Sequence, residues 1–392
     1  MDVVADLRPN RDNYAALAAM LPQAAGGRLT LPPGRFPVEW RDDRPALRVP
    51  GNCVVSAESA TLVCSSHNPT LFAMLVIEAD DVAVRGLTLV GDKTARPWAT
   101  PGYWCALAVR HAKNIKLTRV SVSLAQRWGL DVNGADGLTL TRCTLTGNGY
   151  AEEYPGNAAQ PLIGGLRISA ESTRNRNVVI QACRFNGNGG QGANIGQVDN
   201  LTVRESQFCH NGLYRGHGNQ DGLALNGVSG ASIQRNLMRG NEADGLVLTA
   251  APGAGSCHDI DLSANKCWGN GGNGILVYEH DALGGGDLSY LDITNNVCRD
   301  NGQMTDAPYP HGFSGIRLAP WGGFGRIHDI RWRANKCFDS RPPGQRTQMC
   351  GIDQLPVEVA PWGGLGGNIV LESNRCYNNV WAATNVWEGG AH

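Results

Sequence analysis

The tetrapeptide Ala264-Asn265-Lys266-Cys267 returns, with small changes, at intervals along the chain. An asparagine holds the same place in every copy, and successive copies are 29 to 39 residues apart. The five asparagines are Asn236, Asn265, Asn296, Asn335 and Asn374. Repeats of about 20 to 50 residues are typical of stacked supersecondary units. Because asparagine is otherwise depleted in strands, one amide per unit predicts a ladder in which each side chain bonds the next along the stack.

A second phrase repeats in step with the first: glycine, apolar, variable, apolar, as in Gly222-Leu223-Ala224-Leu225. This alternation predicts a strand whose apolar residues point inward and whose variable residue points outward. The copies, the last of them degenerate, begin at Gly129, Gly165, Gly192, Gly222, Gly245, Gly274, Gly315 and Gly351. Two more short strands follow in each unit. Three parallel strands per turn predict an all-β parallel β-helix.

The N-terminal part differs from the repeats. Residues 13–24 carry an Ala/Leu face and predict a short amphipathic helix, which would protect the open end of the stack. We therefore expect an N-terminal cap with the first strands over residues 1–69 and the β-helix over residues 70–392, in a single domain.

The N-terminal helix followed by Leu31-Pro32-Pro33-Gly34, the glycine strands and the asparagine ladder resemble the pectate-lyase-like, right-handed parallel β-helix superfamily. The resemblance covers nearly the whole chain and implies a right-handed helix. This superfamily includes polysaccharide lyases, polygalacturonases, uronan C5-epimerases and tailspike glycosidases, so it leaves the activity open. In the resembled enzymes the glycine strand and its flanking loops form the substrate cleft.

Composition limits the partners and the compartment. The 34 basic and 35 acidic residues give a net charge of −1, which does not call for nucleic acid or an anionic membrane. The sequence shows no signal peptide, so we expect a cytoplasmic protein, or a secreted one whose signal was removed. Cysteines share one column of the repeat with Leu, Phe and Met, which predicts free buried thiols. Cys53 with Cys64 is the one pair left as a candidate disulfide.

Long insertions flank the glycine strand, so its outward residues should form the floor of a groove. These floor residues are Asp131, Arg167, Asn194, Ala224, Val247, Leu276, Arg317 and Asp353. The mixture of arginine, aromatic and acidic residues at the polar end suits a sugar acid. We predict catalytic roles for Asp131, Arg167, Tyr214 and His217, and substrate binding by Asn194, Arg215, Glu153 and Trp98. The alternative is that Asp131 and Arg167 form a salt bridge on an exposed sheet face.

A second candidate site begins at Tyr278-Glu279-His280-Asp281, which faintly resembles a motif of alginate epimerases. Tyr278 and His280 would move the C5 proton, and Arg317 would neutralise the uronate carboxylate. The alternative is a solvated loop. Trp321, in a phrase that is repeated one coil later, is a candidate platform for a sugar ring, although we favour the alternative that it packs over a loop.

Residues 216–222 resemble two polygalacturonase signatures, Gly-His-Gly and Asn-Thr-Asp-Gly, fused into one segment. In those enzymes the aspartate supplies acid catalysis, which would assign that role to Asp221. However, Asp221 precedes the same kind of glycine as Asp136 and Asp244 do, so we favour a role in the turn for all three.

We predict an enzyme that acts on an acidic oligo- or polysaccharide by lyase or C5-epimerase chemistry. The alternatives are a glycoside hydrolase with paired carboxylates, a cyclase or isomerase of a small molecule, and a non-catalytic binding solenoid. No metal or nucleotide motif is present, so we predict no metal site and no cofactor, while calcium held by scattered acids stays open. Side-by-side association into a homo-oligomer also stays open.

Overall fold

The computed structural model describes residues 2–41, 43–66, 72–93, 105–149, 163–213, 220–250, 255–279, 286–304, 312–320, 327–354 and 368–385. The chain divides into an N-terminal unit, Met1–Gln191, and a C-terminal unit, Gly192–His392. In both units each coil contributes one strand to each of three parallel sheets. We call them sheets I, II and III, where sheet I contains the glycine strands and sheets II and III follow in chain order.

The N-terminal unit contains the predicted helix, α1 (Tyr14–Gln23), which lies against sheets I and III. The carboxylate of Asp12, rather than Asn13, accepts a hydrogen bond from the Tyr14 amide at 3.0 Å. The strands of sheet I are β4 (Leu47–Val49), β7 (Ala73–Ile77), β10 (Cys105–Arg110), β13 (Trp128–Asn133) and β16 (Gly164–Ser169). Those of sheet II are β1 (Asp2–Val4), β2 (Arg28–Thr30), β5 (Val54–Ser56), β8 (Ala83–Arg85), β11 (Lys113–Thr118), β14 (Asp136–Thr141) and β17 (Asn175–Gln181). Those of sheet III are β3 (Gly34–Trp40), β6 (Ala60–Ser66), β9 (Thr88–Val90), β12 (Ser121–Ser123), β15 (Thr144–Thr146) and β18 (Arg184–Asn186).

The C-terminal unit repeats this plan without a helix among its described residues. Its sheet I strands are β19 (Gln191–Gly196), β22 (Leu223–Asn226), β25 (Leu246–Ala250), β28 (Ile275–Glu279), β31 (Ser314–Pro320), β34 (Cys350–Gln354) and β37 (Ala382–Asn385). Its sheet II strands are β20 (Val198–Arg204), β23 (Ser229–Gln234), β26 (Cys257–Ser263), β29 (Leu288–Thr294), β32 (Ile327–Arg333) and β35 (Ile369–Glu372). Its sheet III strands are β21 (Gln207–Cys209), β24 (Leu237–Arg239), β27 (Lys266–Trp268), β30 (Val297–Arg299), β33 (Lys336–Phe338) and β36 (Arg375–Tyr377).

The asparagine ladder is confirmed at the turn between sheets II and III of the C-terminal unit. The side-chain oxygen of Asn265 accepts hydrogen bonds from the backbone and side-chain nitrogens of Asn236, both at 3.0 Å. The Asn265 amide in turn donates to Asn296, at 3.1 Å, and to the Ile233 carbonyl, at 2.8 Å. Every ladder amide therefore satisfies buried backbone groups of the neighbouring coil.

A second ladder, which the sequence analysis did not identify, lies at the turn between sheets III and I. In the C-terminal unit it comprises Asn211, Asn241, Asn270, Asn301 and Gln348. The Asn241–Asn270 and Asn270–Asn301 bonds measure 2.9 and 3.0 Å. Asn241, Asn270 and Asn301 each stand five residues after an asparagine of the first ladder, so the second ladder repeats with the same period.

The cysteines behave as the repeat predicted. All twelve are free, and Cys267, Cys298 and Cys337 stand in register as fully buried residues of sheet III. The candidate pair Cys53 and Cys64 is wrong, since both thiols are free. Cys64 lies in β6 of sheet III, whereas Cys53 directly precedes β5 of sheet II.

Candidate functional site

The floor residues predicted on sheet I stand in register within each unit. In the N-terminal unit Asp131 pairs with Ala108 on one side and Arg167 on the other. In the C-terminal unit the register joins Asn194, Ala224, Val247, Leu276, Arg317 and Asp353 in one row. Side chains distant in sequence therefore line one outer face of sheet I in each unit.

In the N-terminal unit, Asp131 lies between two guanidinium groups. Arg110 donates a hydrogen bond to the Asp131 carboxylate and, at 3.2 Å, to its carbonyl. The Nε of Arg167 lies 3.8 Å from the other carboxylate oxygen. The Asp131 side chain is only 2% exposed, whereas those of Arg110 and Arg167 are 13% and 23% exposed. Asp131 therefore orients two arginines whose outer edges face solvent, and Arg110 also stacks on the Phe72 ring, 4.3 Å from its centroid.

In the C-terminal unit, the middle of the same row is apolar. Ala224, Val247 and Leu276 form a cluster with Ala319, and the ring of Tyr278 packs against it. The three floor side chains are 7%, 5% and 3% exposed. Although they point outward from the sheet, they are nearly buried, and we call this outer face of sheet I with its apolar floor the slot.

One rim of this slot carries a row of polar residues that directly precede the glycines. Asp221 accepts a hydrogen bond from the amide of Asp244 at 3.2 Å, and Asp244 accepts one from the Asn273 side chain at 2.9 Å. The Asn273 oxygen accepts one from the amide of Ser314 at 2.8 Å. These three bonds, each accepted by an Oδ1 atom, link successive coils along the rim.

The two carboxylates in this rim differ in their electrostatics. Burial and, next, the negative charge of Asp221 raise the pKa of Asp244 to about 7, against the hydrogen bonds from Asn273. Burial and then the charge of Asp221 also raise the pKa of Tyr278. The rim therefore holds an acid that is half protonated near neutrality beside a second carboxylate, and the tyrosine hydroxyl stays neutral.

Next to the apolar floor in the same row, Arg317 and Asp353 form a fully buried ion pair. The Nε of Arg317 donates to Asp353 Oδ2 at 2.8 Å, and both side chains are 0% exposed. Ser314 accepts a further bond from Arg317 at 3.2 Å. The cation predicted to receive a substrate carboxylate is thus held by a carboxylate of the protein itself.

The equivalence drawn between Asp136 and the two rim aspartates is wrong. Asp136 begins β14 of sheet II, whereas Asp221 and Asp244 each lie two residues before the start of a strand of sheet I, β22 and β25. Asp244 was missed as a site residue, although its place one residue before the glycine, one coil after Asp221, was a usable signal.

Several predicted site residues lie outside the described residues, namely Trp98, Glu153, Tyr214, Arg215, His217, His280 and Trp321. Asn194 is half-buried in the sheet I row of the C-terminal unit. Within the described ranges, no group of three or more His, Cys, Asp or Glu residues is arranged to hold a metal ion. The described part of the chain also has no helix long and apolar enough to cross a membrane.

Comparison with known proteins shows which fold this is. Residues 128–319 match the family described as right handed beta helix region. The A-module of mannuronan C-5 epimerase AlgE4 from Azotobacter vinelandii has a TM-score of 0.65 at 15% identity, over 98% of this chain and 96% of its own. The adhesin PfbA of Streptococcus pneumoniae has a TM-score of 0.68 at 12% identity, over 98% and 91%. The endo-xylogalacturonan hydrolase from Aspergillus tubingensis has a TM-score of 0.52 at 11% identity, over 98% and 95%. A search of curated proteins found no match.

Proposed function

Because the chain belongs to the right-handed parallel β-helix superfamily, we propose that it is a carbohydrate-active enzyme that hydrolyses a glycosidic bond in the slot on sheet I of its C-terminal unit. One observation carries the proposal: Asp221 and Asp244 lie together at one rim, and the pKa of Asp244 is raised to about 7. Glycoside hydrolysis requires two carboxyl groups, one protonated and one ionised.

The slot supplies a role for each of its groups. Protonated Asp244 donates its proton to the glycosidic oxygen, and ionised Asp221 activates water or attacks the sugar carbon. Ala224, Val247 and Leu276 provide an apolar floor for the C–H face of a pyranose ring. Tyr278 packs against this floor, and its hydroxyl, which also bonds the Thr249 side chain, would hydrogen-bond a sugar hydroxyl.

A second candidate is elimination or C5-epimerisation of a uronate, which was the prediction from the sequence. The observation that favours it is Tyr278, a neutral hydroxyl close enough to Asp221 and Asp244 for their charges to raise its pKa. One carboxylate would remove the C5 proton and the tyrosine would supply one. This chemistry also needs a cation for the substrate carboxylate, and Arg317 is already paired with Asp353. Hydrolysis therefore fits the described residues better.

The test is a panel of neutral and uronate-containing polysaccharides followed in three ways. New reducing ends report hydrolysis, ultraviolet-absorbing unsaturated ends with new reducing ends report elimination, and a changed C5 configuration by NMR reports epimerisation. For hydrolysis we expect Asp244→Asn and Asp221→Asn each to lower kcat roughly 10²- to 10⁴-fold. Asp292→Asn, which removes an exposed acid on sheet II, serves as the matched control. Unsaturated ends would instead support the second candidate, and no product in any assay would overturn both.

A further inference from the structure

The outer face of sheet III in the C-terminal unit is strongly cationic. Its last five strands, β24, β27, β30, β33 and β36, have three residues each. The middle residue is fully buried in the first four strands and half-buried in β36, so the first and third residues point outward. Five of those ten outward residues are cations and three are aromatic, and none is acidic. The cations are Arg239, Lys266, Arg299, Lys336 and Arg375, and the aromatics are Trp268, Phe338 and Tyr377. We call this surface the cationic stripe.

The register concentrates these charges. Arg239, Trp268 and Arg299 follow one another in a single row that continues to Phe338 and Tyr377. Lys266 and Lys336 lie in the neighbouring row, two strands apart. Adjacent strands are about 4.8 Å apart, so every coil presents a cation within about 10 Å of the next. Like charges at this spacing repel one another, and the Asp300 carboxylate, 3.8 Å from Arg299 Nε, offsets only one of them.

Aromatic rings hold two of the cations in place. The guanidinium carbon of Arg299 lies 4.2 Å from the centroid of the Trp268 ring. The Lys336 ammonium lies 4.8 Å from the centroid of Phe338, which stacks on Tyr377 at 4.9 Å. Such contacts orient the charged groups at little cost in hydration. Arg299 stays 37% exposed, and Lys266 and Lys336 are exposed. The stripe is therefore preorganised and accessible.

A cleft of about 950 Å³ adjoins the stripe at the turns between sheets III and I. Arg239, Trp268 and Arg299 line it together with the carboxylates of Glu242 and Asp300. Its volume is that of a site for a few sugar rings. Carboxylates accept hydrogen bonds from sugar hydroxyls, and arginine binds a sugar carboxylate. Nucleic acid, with a phosphate at every step, would meet repulsion from the two acids, because nucleic-acid interfaces are strongly positive.

We propose that the cationic stripe and its cleft form a second glycan-binding surface, separate from the slot on sheet I, for a linear polysaccharide that carries a carboxylate on each sugar. The inference rests on the proposed function in taking a glycan as the ligand. Binding here would hold an anionic glycan chain on the surface of the protein and raise its local concentration there.

The experiment measures binding of the full chain to polygalacturonate and alginate, with a neutral glucan and a single-stranded DNA oligonucleotide as comparison ligands. Asp244→Asn serves as the background, so that cleavage does not remove the ligand. Lys266→Gln with Lys336→Gln removes two charges from the stripe. Lys113→Gln with Lys116→Gln removes two exposed lysines from sheet II of the N-terminal unit and is the matched control. Both pairs change the net charge equally.

We expect the stripe pair to weaken polyuronate binding about 3- to 10-fold at low salt, with the effect fading as salt is added, and the control pair to leave it unchanged. Arg299→Gln should weaken it further. Equal losses in both pairs, or no loss in either, would overturn the proposal. So would tighter, stripe-dependent binding of DNA. These measurements of binding need no turnover. Stripe-dependent binding by a protein without catalytic activity would therefore overturn the proposed hydrolase activity but support the proposed glycan-binding surface.

Discussion

Arg317 and Asp353 face each other on the outer side of sheet I, joined by a 2.8 Å hydrogen bond and completely withdrawn from solvent. Their neighbours in the same row, Val247 and Leu276, are apolar and nearly buried. A charged pair that continues an apolar floor shows that this face is a low-dielectric environment. The same property raises the pKa of Asp244.

The ion pair gives the first prediction. Asp353→Asn should destabilise the protein by about 3 to 5 kcal/mol, because it leaves the Arg317 charge buried without its partner. The double variant Arg317→Met with Asp353→Leu should recover most of that loss, since both desolvation penalties disappear. Urea unfolding of the three proteins measures both effects. A cost below about 1 kcal/mol for Asp353→Asn would mean that water reaches the pair.

Asp244 gives a pH-dependent prediction. Its pKa is about 7 in the folded protein against an ordinary value of 3.8, so between these pH values the folded state keeps a proton that the unfolded state has lost. The contribution of this group to the free energy of unfolding should therefore fall by roughly 2 to 4 kcal/mol as pH rises from about 4 to 7. Asp244→Asn should abolish that fall, and Asp292→Asn should retain it. If the free energies of unfolding of the wild type and Asp244→Asn ran parallel as a function of pH, the raised pKa would be contradicted.

The asparagine ladder gives a prediction about stability alone. Asn265→Ala removes an acceptor for two Asn236 nitrogens and a donor to the Ile233 carbonyl, all in buried positions. We expect a loss of about 2 to 4 kcal/mol, because buried backbone groups are left unsatisfied. Asn10→Ala, at an exposed asparagine, should change the unfolding midpoint little. Similar midpoints for the two variants would show that water replaces the ladder amide.

A substitution at the residue before the ladder asparagine should increase the stability of the protein instead of lowering it. Ala264 is exposed and has a φ of 54°, in the left-handed region where a β-carbon is unfavourable. Ala264→Gly should therefore stabilise the protein by about 0.5 to 1 kcal/mol, despite the greater freedom of glycine in the unfolded chain. Ala25→Gly, at an exposed alanine outside that region, should be neutral or destabilising. Thermal unfolding of both variants measures the difference, and a lower melting temperature for Ala264→Gly would refute the argument.

The strand pattern could be read from the sequence because it depends on local spacing. The glycine phrase identified sheet I, and its variable positions proved to stand in register, as Ala224 and Val247 do. The ladder through Asn265 followed from one amide per coil. The second ladder through Asn270 follows the first at a distance of five residues and repeats with the same period, so its pattern was present in the sequence and was overlooked.

The sequence by itself determined the fold, since periodic strands, a fixed asparagine and a column of small apolar side chains can be satisfied together only when the coils stack. It also showed which side chains leave sheet I outward. Only the tertiary structure decided what those side chains do. Whether Arg317 meets a substrate or Asp353, and whether Asp244 is charged at neutral pH, depends on how much water and which charges from neighbouring coils surround each group. Those quantities arise from packing between coils and leave no mark in the local pattern.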